Sequence, residues 1–285
     1  MVNMTDFTLK HMVLRLLTIA AAVSALLSGC KPIEKEENSK DYGVFISLDS
    51  SDMDEISEYE TVVIDAQFFT QKDIASLKKQ GCTVYSYINV GSVENFRDYY
   101  DSYSDLTLGA YENWDEERWV DVSSDRWKKF MATLADELSD KGIDGFFVDN
   151  CDVYYVYPTD DIFEGLTGIL ENLMQYDKPV IINGGDTYVI KYMEIYGSPE
   201  RIMTGVNQES VWSKINFDTG EFFAQTEDDR EYFREYIETC DRCGLDVYLI
   251  EYTTDSGLKD KIKKYCDDHG FRYFISDSIE LDRIN

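Results

Sequence analysis

Histidine and basic side chains are scarce in this sequence of 285 residues, which has two histidines and 27 Lys and Arg against 56 Asp and Glu. His11 lies in an N-terminal segment and His269 at the predicted end of a helix. Neither is placed to serve in a Ser-His-Asp triad or a histidine-rich metal site. We expect no metal and no cofactor, with a divalent metal held by carboxylates alone as the alternative.

The formal net charge of −29 limits the partners of the protein. Such an excess of acid disfavours nucleic acid and anionic membrane surfaces and attracts cations. A solvated acidic surface is the simpler interpretation, and an acidic cleft that concentrates a cationic substrate is the sharper one. We therefore expect no nucleic-acid partner and leave both interpretations of the charge open.

The N-terminal segment has the pattern of an export signal. Basic residues precede an apolar run over residues 16–27, which is too short to span a bilayer as a permanent helix. The run ends in Leu-Ser-Gly-Cys30, which resembles a bacterial lipobox whose cysteine is lipidated. We predict a signal over residues 1–29, a flexible tether over 30–41 and a folded domain over 42–285. The domain is then held outside the cytoplasm by a lipid anchor at Cys30, its sole predicted link to the membrane.

Apolar strand patterns alternate with amphipathic helix patterns along the predicted domain. Four predicted helices end in a glycine directly before an apolar strand, where glycine takes a left-handed C-cap at low cost. Eight strand–helix units predict a single (β/α)8 barrel, with a doubly wound open sheet as the alternative. No Gly-x-Gly-x-x-Gly follows a first strand, so a dinucleotide-binding fold is unsupported. The predicted strands cover residues 44–48, 61–64, 82–88, 143–148, 180–182, 201–206, 245–250 and 271–275.

Two further features interrupt this pattern. Long connections over residues 93–121 and 211–227 are rich in aromatic residues, which argues against disorder and favours functional loops. Cys240 and Cys243 have the spacing of a disulfide or redox pair, although i, i+3 neighbours on a helix also explain it.

The segment over residues 142–154 contains a buried strand that ends in Asp149, Asn150 and Asp152. Burying a carboxylate is costly unless the site uses it, and the C-terminal strand ends form the active face of a barrel. Paired carboxyls among aromatic residues suit glycoside hydrolysis, in which one acid protonates the leaving oxygen and the other attacks or activates water. The candidates for stacking on sugar rings are Trp114, Trp119, Tyr154 and Trp212.

Asp149-Asn150-x-Asp152-x-Tyr154, after Gly-Ile-Asp-Gly-Phe-Phe-Val, resembles the central motif of glycoside hydrolase family 114. These are endo-α-1,4-polygalactosaminidases with a TIM-barrel fold. The resemblance covers about residues 43–277 and implies that Asp149 is the nucleophile and Glu209 the general acid/base. The residues alone place both at strand ends but leave open which does which, and whether the enzyme retains or inverts. We predict substrate-binding or supporting positions for Asp65, Tyr87, Asn89, Asn150, Asp152, Tyr154, Asn183, Trp212 and Glu251.

The expected function is hydrolysis of an α-1,4-linked galactosamine-containing exopolysaccharide by a monomeric enzyme outside the cytoplasm. Deacetylated galactosamine carries ammonium groups, so an acidic cleft would bind it. A glycosidase with another glycan specificity and a non-catalytic, lipid-anchored carbohydrate-binding barrel are the alternatives, because the fold does not exclude either.

Overall fold

The structure is a computed structural model that describes residues 40–283. The predicted signal, the predicted tether up to residue 39 and the predicted lipidation site Cys30 lie outside the described residues. Among the described residues, no helix is both long and apolar enough to cross a membrane. The strands are β1 (Lys40–Phe45), β2 (Tyr59–Ile64), β3 (Thr83–Asn89), β4 (Ser92–Glu94), β5 (Thr107–Ala110), β6 (Glu117–Val120), β7 (Gly145–Asp149), β8 (Val180–Asn183), β9 (Gly205–Glu209), β10 (Ser213–Asn216), β11 (Glu221–Ala224), β12 (Asp246–Tyr252) and β13 (Arg272–Ser276). The helices are α1 (Met53–Ile56), α2 (Gln71–Lys79), α3 (Tyr100–Tyr103), α4 (Asp125–Asp140), α5 (Val153–Val156), α6 (Asp160–Leu173), α7 (Asp186–Tyr196), α8 (Glu227–Arg242) and α9 (Ser256–His269).

Eight parallel strands form one sheet in the order β1-β2-β3-β7-β8-β9-β12-β13. The sheet curves round so that β1 lies against β13, where the ring centroids of Phe45 and Phe274 are 5.3 Å apart. Helices separate successive barrel strands along the chain, and they cover the outer face that the apolar strands would otherwise expose. The predicted (β/α)8 barrel is confirmed, and the doubly wound sheet is not formed.

Two predicted strands begin four residues away from their observed starts, which are Lys40 in place of residue 44 and Gly205 in place of residue 201. β1 begins at Lys40, which pairs with Tyr59, so the last two residues of the predicted tether belong to the barrel. β9 begins at Gly205 and not at residue 201. The Pro199 carbonyl accepts hydrogen bonds from the backbone of Ile202 and Met203, which holds this segment in a turn until the strand begins.

The two long connections carry ordered β-structure. The first forms a three-stranded antiparallel sheet in the order β4-β6-β5, directly after β3. The second forms the antiparallel hairpin β10–β11, directly after β9. Cys240 and Cys243 both have free thiols, at the end of α8, so they do not form the disulfide that their spacing also allowed.

Candidate active site

A cleft of about 710 Å³ lies at the C-terminal ends of the barrel strands. The β4–β6–β5 sheet and the β10–β11 hairpin both contribute to its walls. Among the described residues, no Lys, Arg or His lines the cleft. Its acidic lining residues are Glu94, Glu116, Glu117, Asp149, Asp152, Asp186, Glu209 and Glu280. The cleft is therefore acidic, as the sharper interpretation of the composition predicts.

Asp149 and Glu209 lie at the ends of β7 and β9, and Asn183 lies between them at the end of β8. The Asn183 Nδ2 donates to Asp149 Oδ1 at 2.9 Å and to Glu209 Oε1 at 2.7 Å. Because one nitrogen bonds both oxygens, these oxygens are at most about 5.6 Å apart, the sum of the two hydrogen-bond lengths. The Tyr252 hydroxyl also donates to Glu209 Oε2, at 2.5 Å.

The orientation of the Asn183 amide is fixed from inside the barrel. Asn207 and Glu209 are two residues apart on β9, so their side chains point to the same face. The Asn207 Nδ2 donates to Asn183 Oδ1 at 2.6 Å, and the Tyr42 hydroxyl donates to Asn207 Oδ1 at 3.2 Å. Since the Asn183 oxygen accepts from Asn207, its NH₂ group must point at the two carboxyls.

The two carboxyls differ from ordinary acids in their protonation. Burial and the charge of Glu209 raise the pKa of Asp149 to about 8, although the hydrogen bond from Asn183 acts to lower it. Two carboxyls this close do not both ionise readily, which favours the protonated form of Asp149. One ionised and one protonated carboxyl is the combination that an acid and a nucleophile require.

Asn150 links the β4–β6–β5 sheet to the end of β7. It has a left-handed backbone with φ of 66°, and it donates to Glu117 Oε1 at 2.8 Å while accepting from the Tyr111 hydroxyl at 3.1 Å. Gly91 packs against its backbone so closely that a Cβ there would lie 1.8 Å from the Asn150 carbonyl oxygen. The sheet is thereby held beside Asp149.

The structure brings six of the predicted site residues together in the cleft, namely Asp149, Glu209, Tyr87, Asn150, Asp152 and Asn183. Asp152 accepts from the Gly185 backbone N–H at 3.1 Å, and burial together with the charge of Asp186 raises its pKa to about 7. The lining formed by residues 40–283 does not include the other five, which are Asp65, Asn89, Tyr154, Trp212 and Glu251.

Asp65 is buried in an ion pair behind the cleft wall. The Arg97 Nη1 lies 2.6 Å from Asp65 Oδ2, and the Arg97 Nη2 lies 2.9 Å from Glu94 Oε1. Burial raises the pKa of Asp65 against the effect of the guanidinium, whereas Asp65 and Glu94 outweigh burial and raise the pKa of Arg97. Asp65 also accepts from the Gln67 backbone, so both of its oxygens are engaged and it supports Arg97.

Glu251 holds the base of the β10–β11 hairpin. Its carboxylate accepts from the backbone N–H groups of Trp212 and Ser213 and from the Ser213 hydroxyl. Trp212 packs on Tyr265, with ring centroids 5.3 Å apart, and so faces away from the cleft. Burial raises the pKa of Glu251 to about 7 even with these donors.

The remaining two predicted residues also have partners elsewhere. Tyr154 packs against the rings of Phe163 and Tyr188, at centroid distances of 5.6 and 6.1 Å. Asn89 donates to Glu117 Oε1 at 2.8 Å from beneath the cleft wall. Of the stacking candidates, Trp114 alone lines the cleft, where it meets Phe217 edge-on at 6.4 Å.

Sequence reasoning missed several lining residues, among them Glu94, Glu117, Tyr111, Phe217 and Tyr252. Four of these belong to the two connections, for which no strand pattern was recognised. Tyr252 directly follows Glu251 at the end of β12, so the strand-end rule could have found it.

Comparison with known proteins connects this site to a family. The model of glycoside hydrolase family GH114 matches residues 32–178, just over half of the chain. An uncharacterized protein of Methanocaldococcus jannaschii, MJ1477, is 20% identical over 283 residues, with 89% of this chain and 81% of that protein covered.

Solved structures share the fold at low identity. The glycoside hydrolase domain of PelA from Pseudomonas aeruginosa has a TM-score of 0.70 and 19% identity, with 86% of this chain and 96% of that chain covered. Aspergillus fumigatus Ega3, in a complex with galactosamine, has a TM-score of 0.65 and 17% identity, with 89% and 96% covered. The family match includes the segment that carries Asp149. The chain belongs to glycoside hydrolase family 114, and it is a glycoside hydrolase.

Proposed function

We propose that this enzyme hydrolyses an α-1,4-linked, galactosamine-containing polysaccharide with the carboxyls of Asp149 and Glu209. The observation that carries the proposal is the single Asn183 amide that bonds both carboxyls at the floor of an acidic cleft. A second observation supports it, because no basic residue belongs to the part of the cleft lining that residues 40–283 form.

The separation of the two carboxyls favours a retaining mechanism. Retaining glycosidases have carboxyls about 5–5.5 Å apart, whereas inverting enzymes leave about 6.5–9.5 Å for a water molecule. An upper limit of about 5.6 Å between the bonded oxygens fits the first class. Asp149 would attack the anomeric carbon while Glu209 transfers its proton to the leaving oxygen. Glu209 would then take a proton from water as the water oxygen attacks the anomeric carbon and displaces the Asp149 carboxylate, which releases the sugar.

A cationic substrate would favour the ionised form of Asp149 that the reaction requires. Asp149 must be ionised to attack, but burial and Glu209 favour its protonated form in the free cleft. An ammonium group bound nearby stabilises an ionised carboxyl. Asp149 would then be ionised, as its attack on the anomeric carbon requires.

The substrate assignment draws on the cleft and on the relatives. Eight acidic residues in the lining suit a polymer that carries ammonium groups. The Ega3 structure contains galactosamine, and the barrel of that protein is similar to this one. Trp114 and Phe217 offer aromatic surface at the mouth of the cleft.

The test is hydrolysis of a panel that contains deacetylated polygalactosamine, its N-acetylated form and neutral α-glycans. We expect oligosaccharides from the deacetylated polymer, with a KM that rises as added salt screens the charges. Equal cleavage of neutral glycans would instead support the different specificity. Binding without any new reducing ends would support the non-catalytic barrel.

We propose that the enzyme acts outside the cytoplasm on a lipid anchor at Cys30, as the lipobox resemblance implies. Bacterial cells fed an alkyne-labelled fatty acid should label the wild-type protein and leave Cys30→Ser unlabelled. Equal labelling of both proteins would contradict the anchor site.

A further inference from the structure

Two glutamates face each other on the wall of the cleft. The antiparallel register of β4 and β6 pairs Glu94 with Glu117, and both residues line the cleft. Directly opposed residues of this kind have Cβ atoms about 5 Å apart, and like charges there destabilise the sheet. Because the sheet keeps these two like charges together at the surface of the cleft, we expect a cation to bind there.

The surrounding residues do not neutralise this pair. Arg97 binds Glu94, but it also binds the buried Asp65, so one guanidinium is shared by two carboxylates. Glu117 Oε1 accepts from Asn89, Asn150 and Ser92, which are neutral donors. Negative charge therefore remains on this wall.

Glu94 supplies an independent sign of a missing partner. The residue is 6% exposed, and its Oε2 has no hydrogen-bond partner within residues 40–283. A buried carboxylate oxygen left without a donor is costly, and a ligand ammonium would remove that cost. Tyr87 and Asp149 line the same cleft as the two glutamates. Burial, followed by the charges of Asp149, Glu94 and Glu117, raises the pKa of Tyr87.

We propose that Glu94 and Glu117 form an ammonium-binding subsite that selects a free amino sugar beside the point of cleavage. This inference rests on the proposed function and identifies the residues that would bind the ammonium group of the substrate. An alkylammonium has three N–H donors, which suit the free Glu94 oxygen and the neighbouring acceptors. An uncharged acetamido group would leave the charge of the two glutamates unmatched.

A divalent metal is a poorer occupant of this position. Calcium takes six to eight oxygen ligands, and magnesium takes six in near-ideal octahedral geometry. No group of three or more His, Cys, Asp or Glu side chains in the described part of the chain is arranged to hold a metal.

The experiment compares Glu94→Gln and Glu117→Gln with the exposed control Glu112→Gln, each in an inactive Asp149→Asn background. Calorimetry measures the Kd of a deacetylated galactosamine oligosaccharide and of its N-acetylated counterpart. We expect each substitution at the pair to raise the Kd of the deacetylated ligand about 10- to 100-fold, the range of a charged hydrogen bond. The N-acetylated ligand should change less than about twofold, and Glu112→Gln should leave both constants unchanged.

Kinetics in the active enzyme provide the second measurement. The variants at the pair should raise KM for the deacetylated polymer while kcat stays within a fewfold. The Glu94→Gln variant keeps an acceptor oxygen for Arg97, so the fold should persist in thermal melts. Unchanged binding in both variants, or an equal loss for both ligands, would overturn the inference while hydrolysis by the parent enzyme still upheld the proposed function. If the parent binds and cleaves no galactosamine polymer, the proposed function fails and the subsite fails with it.

Discussion

The two sides of the cleft hold buried carboxylates in opposite ways. On the side of β2 and β4, Asp65 is bonded to the Arg97 guanidinium. On the side of β7 and β9, Asp149 and Glu209 share one neutral amide, and burial raises the pKa of Asp149 to about 8. Removing one partner of a buried ion pair is destabilising because it leaves a charge uncompensated, whereas two carboxyls held close together with a raised pKa are candidates for function. The Asp65–Asp149 comparison should therefore separate stability from catalysis.

The largest expected effect is a loss of catalysis when Asp149 or Glu209, which have no cationic partner within residues 40–283, is replaced. Asp149→Asn and Glu209→Gln should each lower kcat on polygalactosamine by at least about 10³-fold, because each removes a group that attacks or transfers a proton. Neither should lower the melting temperature, since each relieves repulsion between the two carboxyls. Reducing-end release and thermal unfolding measure the two properties. Near-wild-type activity in either variant would remove that residue from the proposed mechanism.

The next largest effect is a loss of stability when Asp65, which is paired with Arg97, is replaced. Asp65→Asn should lower the free energy of unfolding by about 2–4 kcal/mol, because it leaves a buried guanidinium short of an anionic partner. Urea unfolding measures the change. Asp268→Asn is the control, since it breaks an exposed ion pair with Lys264 and should change stability little. If the Asp65→Asn protein is as stable as the wild type but inactive, Asp65 serves catalysis and not stability, which would contradict this prediction.

The third expected effect is on the pH dependence of stability. The pKa of Asp149 is about 8 in the folded chain, above the ordinary carboxyl value near 4. Between these values the folded state binds more protons than the unfolded state, so stability should fall as pH rises from about 4 to about 8. Asp152 and Glu251, with pKa values raised to about 7, act in the same direction.

Asp149→Asn removes one of these titrating groups. Its free energy of unfolding should therefore fall less between pH 5 and pH 8 than that of the wild type, as urea unfolding at both values would show. The exposed substitution Glu112→Gln should leave the wild-type slope unchanged. Equal slopes for wild type and Asp149→Asn would contradict the raised pKa.

The barrel was predictable because its strands are covered on both faces. Their short apolar runs stand out between amphipathic helices, and Gly270, the left-handed C-cap of α9 with φ of 74°, shows how a helix turns back into the sheet. Strand-end polarity then located Asp149, Asn183 and Glu209, because parallel strands in a barrel bring their C-terminal ends together.

The strands in the two long connections were not predictable from the local sequence pattern. β4 and β10 are short strands on the rim, where pairing and packing on the barrel override weak alternation. Asp65 and Glu251 follow the same strand-end pattern as Asp149, yet their partners, Arg97 and the Trp212–Ser213 backbone, come from these insertions. Strand-end position alone therefore does not separate a carboxylate that lines the cleft from one that is buried behind its wall.

The most direct test of the Asp149–Glu209 pair is mass spectrometry of Glu209→Gln after reaction with an activated α-galactosaminide. The good leaving group needs no acid, but the missing base slows release of the sugar. We expect a covalent adduct of one galactosaminyl unit on the peptide that contains Asp149. Turnover with an inverted anomer and no adduct on Asp149 would contradict it.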